Sequence, residues 1–74
     1  MKTYTFDIKM SYAECVDLYA QQIRFVIVQA HTGEKVQLPK QNLQKFLVPT
    51  GIHGRFELHV NSLNKIVYLQ KLHN

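Results

Sequence analysis

The chain's 74 residues, 46% of them apolar, are enough for one domain over residues 1–74 with a single core and too few for two. A lone cysteine, Cys15, excludes an internal disulfide, so burial must hold the fold and a reducing, cytoplasmic setting is expected. The formal charge of +4 is uneven: residues 1–34 set Lys2, Lys9 and Arg24 against Asp7, Glu14, Asp17 and Glu34, whereas residues 35–74 set Lys35, Lys40, Lys45, Arg55, Lys65 and Lys71 against Glu57 alone. The longest apolar run, Phe25–Val28, is far short of the ~18 residues that cross a bilayer, and the opening residues alternate rather than forming a signal-peptide core, so no membrane role is expected.

Thr3–Met10 places Tyr4, Phe6, Ile8 and Met10 on one face and Thr5, Asp7 and Lys9 on the other, the period of a half-buried strand. Ser11 and Glu14 then stand at the spacing of a capping box, which starts a helix carrying Tyr12, Cys15, Val16 and Tyr19 on one stripe and ending near Gln22. Ile23–Ala30 is apolar on both faces apart from Arg24 and Gln29, which predicts a central strand covered on both sides.

His31-Thr32-Gly33 leads to a second strand, Glu34–Leu38. A two-residue loop would oppose Gln29 to Val36, whereas a three-residue loop opposes Val28 to Val36 and Val26 to Leu38, with Gly33 at the left-handed position; the second register is preferred. Pro39 suits the first turn of a short helix holding Leu43, Phe46 and Leu47, which Pro49 and Gly51 end. Gly51–Gly54 turns into a strand with Phe56, Leu58 and Val60 inward and Arg55, Glu57 and His59 outward. A four-residue turn, Asn61–Asn64, pairs Leu58 with Val67 and Phe56 with Leu69, which leaves Ile66, Tyr68 and Gln70 beside the outward residues.

The expected fold is α+β, in the order β-α-β-β-α-β-β: a small, mostly antiparallel five-stranded sheet, strongly twisted or barrel-like, with two short helices.

The chemistry-bearing residues are few. Cys15 lies on the helix's apolar stripe beside Glu14 and Asp17, whose charges oppose a thiolate, so it reads as packing rather than a nucleophile; the two carboxylates read as helix-start charges. His31, His53, His59 and His73 do not converge at a metal spacing: His53 and His59 share a face but are about 20 Å apart on an extended chain. No catalytic triad, phosphate loop or dinucleotide fingerprint stands in the sequence, so no catalytic, cofactor or metal residue is assigned. Gly51-Ile52-His53-Gly54 matches the GxxG phosphate clamp, but that clamp joins two helices and this segment enters a strand.

The candidate interaction face is Arg55, Glu57, His59, Ile66, Tyr68 and Gln70, mixed in charge, with an aromatic surface and an apolar pair. A non-enzymatic module binding a protein partner or a second copy is the leading expectation; weak nucleic-acid binding through the basic second half is the alternative. The segments KTYTF, SYAE, GEKVQLP, QNLQKFL and GIHGRFEL together resemble a family of short, uncharacterised gammaproteobacterial proteins, domain of unknown function 2835. That resemblance covers nearly the whole length and implies no activity, cofactor or catalytic residue.

Overall fold

A computed structural model of the protein describes residues 2–73. Seven elements follow in order: β1 (Lys2–Met10), α1 (Tyr12–Ala20), β2 (Phe25–Gln29), β3 (Lys35–Pro39), α2 (Gln41–Gln44), β4 (Ile52–Val60) and β5 (Ile66–His73). The α+β class, the antiparallel pairing and the element order agree with the sequence. The sheet does not: in place of one five-stranded sheet there are two, a three-stranded sheet in the order β1-β4-β5 and a separate β2-β3 hairpin. Among the described residues one backbone bond, from the His31 N–H to the Thr5 carbonyl at 2.8 Å, stitches the hairpin's loop to β1.

The alternation in β1 buries Phe6 and Ile8, and its partner β4 buries Phe56, Leu58 and Val60. Leu38 of β3, Leu43 of α2, Cys15 of α1, Leu69 of β5 and Ile52 of β4 complete the core against that inner face. Phe56 sits at its centre, stacked on Phe6 at 5.8 Å between ring centroids and met edge-on by Phe46 at 5.0 Å. Each such side chain contributes about 1.5–3 kcal/mol by leaving water, the term that must offset chain entropy where no disulfide helps.

At the start of α1, Ser11 accepts from the Glu14 N–H and Glu14 accepts from the Ser11 N–H, the reciprocal pair the sequence predicts. The helix ends at Ala20. Its stripe is less buried than expected: Cys15 is fully enclosed, but Tyr12 and Val16 are exposed.

The β2-β3 register is the three-residue one, Val28 opposite Val36 and Val26 opposite Leu38, with Gly33 at φ +94°. The strand beginning after Ile23 is not central, however. One face packs on the core through Val26 and Val28, while Phe25 and Ile27 are exposed on the other, 50% and 66%. Apolar residues on both faces thus mark an uncovered hairpin, and the central strand is β4. Pro39 also departs from expectation. It closes β3 opposite Phe25, and the Lys40 N–H donates to the Arg24 carbonyl at 2.9 Å, so α2 is a single turn starting at Gln41. Pro39 is tolerated in a strand because the hairpin has only two strands, and both are edges.

Before β4, Val48 and Gly51 exchange backbone bonds of 2.9 and 2.8 Å around Pro49-Thr50, and the strand already runs at Ile52, with Gly54 inside it opposite Ile8. The last hairpin corrects the predicted register. Val60 pairs with Ile66, His59 with Tyr68 and Leu58 with Leu69, so Val67 is the extra residue of a bulge. Ile66 consequently packs against the core and Val67 is exposed, the reverse of the expectation. Five residues rather than four separate the paired Val60 and Ile66, which turns Ile66 inward, and the bulge at Val67 then restores the expected faces of Tyr68 and Leu69.

Candidate interaction surface

The outer face of the β1-β4-β5 sheet gathers most of the predicted residues. Register sets Thr3 opposite His59, Thr5 opposite Glu57 and Asp7 opposite Arg55, while Glu57 and His59 meet Gln70 and Tyr68 on the other side. Two hydrogen-bonded chains result. In the first, the His59 Nε2–H donates to Glu57 Oε1 at 2.6 Å, Gln70 Nε2 donates to the same oxygen at 3.1 Å, and Thr3 Oγ1 lies 3.3 Å from His59 Nδ1. The His59 ring stacks on Tyr68 with centroids 4.2 Å apart.

In the second chain, Asp7 accepts from Arg55 Nε at 3.0 Å and from His31 Nε2 at 3.1 Å, and Thr5 Oγ1 lies 3.2 Å from His31 Nδ1. With Nε2 committed to a carboxylate, Nδ1 of each neutral ring is left to accept from the threonine hydroxyl.

These contacts account for the electrostatics of the face. The His59 hydrogen bond, with help from Gln70, holds the Glu57 carboxyl below the usual glutamate value despite some desolvation. Asp7 is lowered chiefly by Arg55 and then by His31. The face therefore satisfies its own polar groups: cations and donors are spent on its carboxylates, and the chains tie three strands and the hairpin loop together. Cys15 behaves as its position suggests, since burial pushes the thiol up and Glu14 adds to the rise.

Of the six predicted face residues, Arg55, Glu57, His59, Tyr68 and Gln70 do lie together, and Ile66 lies inside. Sequence reading missed Thr3, Thr5, Asp7 and His31 as members. The alternation of β1 already turned Asp7 outward, but only the β1-β4 pairing sets it beside Arg55. Nothing local to the sequence brings the His31 loop to Thr5.

A second surface flanks β5. As the end of its sheet, β5 has one edge without a strand beside it among the described residues. That edge forms one wall of a cleft of ≈ 590 Å³, lined by the consecutive run Asn64–Leu69 and, opposite, by Gln37 and Pro39 of β3 and Lys45. Of that run, Ile66–Leu69 belong to β5, whose edge away from β4 is open. Smaller clefts adjoin it, one of ≈ 340 Å³ with Arg24 and Lys40 and one of ≈ 270 Å³ with Lys35. Around the three stand Arg24, Lys35, Lys40, Lys45 and Lys65, and among the described residues no Asp or Glu lines any of them.

The fold and these surfaces define a small α+β protein built of a three-stranded sheet and a hairpin, with a polar outer face and a basic cleft between β5 and the hairpin. It belongs to the family described as protein of unknown function DUF2835, whose model matches residues 2–72. No curated protein matches the chain, and no solved structure does.

Proposed function

We propose that this protein is a non-enzymatic interaction module that engages a protein partner through β5. The observation that carries the reading is the open edge of β5, where the bulge leaves Val67 and Tyr68 exposed, 48% and 42%, in successive positions. Exposed apolar side chains next to unpaired backbone groups are what a docking protein segment covers. The outer face supports β5 from behind: its hydrogen bonds and the His59–Tyr68 stack fix the strand in place. The single buried Cys15 suits a reducing, cytoplasmic setting.

The test is cross-linking of the tagged protein in its native cell, comparing wild type with a Val67→Asp/Tyr68→Ala variant whose fold is verified by circular dichroism. Loss of specific cross-linked proteins is expected; an unchanged set, together with unchanged sedimentation, would sink the reading. A second reading, weak binding of single-stranded nucleic acid, is favoured by the belt of five cations around the clefts. It predicts nuclease-sensitive cross-links and an affinity that drops steeply with salt.

A further inference from the structure

The β5 cleft has two unlike walls, and this narrows its occupant. On one side is the free edge of β5, and on the other is the outer face of the β2-β3 hairpin, through Phe25, Gln37 and Pro39, with Asn42 and Lys45 beside it. The strands run β5-β4-β1 in one sheet and β2-β3 in the other, and the cleft is the seam between β5 and the hairpin. Backbone N–H and C=O groups along such an edge are matched by another backbone more completely than by side chains or bases.

Charge and shape then choose between occupants. A second copy would bring its own Lys65 and Lys71 against those of the first across a β5–β5 contact. An acidic segment meets the opposite situation. Lys45 and Lys65 line the seam, Arg24, Lys35 and Lys40 continue the belt, and no carboxylate competes among the described lining residues. Phe25 and Val67 offer apolar contact at the two walls. We infer that the seam between the hairpin and β5 takes an extended, acidic protein segment that adds as a strand to β5.

The inference rests on the interaction-module reading and names the chemistry of its partner. Its test uses a capped peptide of about eight alternating Asp and Val residues, long enough to follow the ~13 Å of β5 edge at Ile66–Leu69 and reach past it. The comparators are its Lys-Val counterpart, two versions N-methylated on alternate amides in either phase, and an oligothymidylate of equal charge. Expected are amide shifts confined to β5 and to the facing Phe25 and Gln37, and binding at least tenfold tighter than the Lys-Val peptide. Binding should also weaken about tenfold for one N-methyl phase but not the other, and again for Lys65→Glu.

The inference is overturned if both N-methylated peptides bind like the parent, if no Asp-Val binding is seen at millimolar peptide, or if oligothymidylate displaces the peptide at equal charge. Those results leave the cross-linking outcome untouched. A cell partner lost on Val67→Asp/Tyr68→Ala with no peptide binding rejects the acidic strand and keeps the module, whereas unchanged cross-links reject the module itself.

Discussion

Gly51 holds φ at +112°, and a Cβ placed on it would fall within the van der Waals shell of the Met10 carbonyl oxygen and the backbone of Ser11 and Tyr12. Backbone atoms cannot step aside as a flexible side chain would, so this glycine sets how closely the turn before β4 approaches the β1-α1 junction. Gly33 has a similar φ, +94°, but nothing stands within 4 Å of where its Cβ would be. The two positions separate conformational strain from steric conflict. Gly33→Ala is expected to cost about 1 kcal/mol and Gly51→Ala roughly 3 kcal/mol or more, read from urea denaturation midpoints. Equal losses at the two sites would show that the close approach at Gly51 relaxes freely.

At the scale of elements, α1 is held by its cap more than by its packing. Only Cys15 is fully enclosed, and Tyr12 and Val16 are exposed on the stripe that was to be the helix's buried face. A nine-residue helix is marginal by itself, so the Ser11–Glu14 pair matters more here than under a well-covered helix. Ser11→Ala is expected to cost about 1 kcal/mol and to reduce helical circular dichroism before global unfolding, whereas Ser11→Asp, which keeps an acceptor, should retain most of it.

The capping box was legible in the sequence because both partners lie within one turn, and the hairpin register at Val26–Leu38 was legible because a three-residue loop constrains it locally. Pro39 and Ile66 were misplaced for the converse reason. Pro39's φ suits a helix start or an edge strand equally, and the extra residue between Val60 and Ile66, with the bulge at Val67 that compensates it, depends on how β5 lies against β4, which its own residues do not encode.

For the whole molecule, the two chains on the outer face are the long-range fasteners, and they depend on ionised carboxylates. Asp7 and Glu57 both titrate below their ordinary values in the folded protein. Their stabilisation is therefore fully present above the unfolded-state values of about 3.9 and 4.3 and is lost as pH falls through the lowered folded-state values. A wild-type stability curve that falls on acidification below about pH 4.5 is expected, with a shallower fall for Asp7→Asn/Glu57→Gln in the same urea titrations. Matching acid limbs in the two proteins would show that the network does not hold the fold.

The same arrangement divides the molecule electrically. Four of the five carboxylates are engaged, Asp7, Glu34 and Glu57 with cations or histidines and Glu14 in the helix cap, while the belt around the seam keeps its positive charge. The linear excess of lysine after residue 34 pointed toward an anionic partner, but the belt is not that half of the chain: Arg24 joins it and Arg55 is withdrawn to Asp7.

By itself, the sequence determined the identity and order of the strands and helices, the inward residues of β1 and β4, the cap of α1 and the family. Each of these rests on periodicity or on partners a few residues apart. The tertiary structure decided that the strands divide three and two, that β4 and not β2 is central, that Asp7 and His31 join the outer face, and that a seam stays open beside β5. These depend on which strand edges meet, and backbone hydrogen bonding, common to nearly every residue, carries little trace of that choice in the side chains.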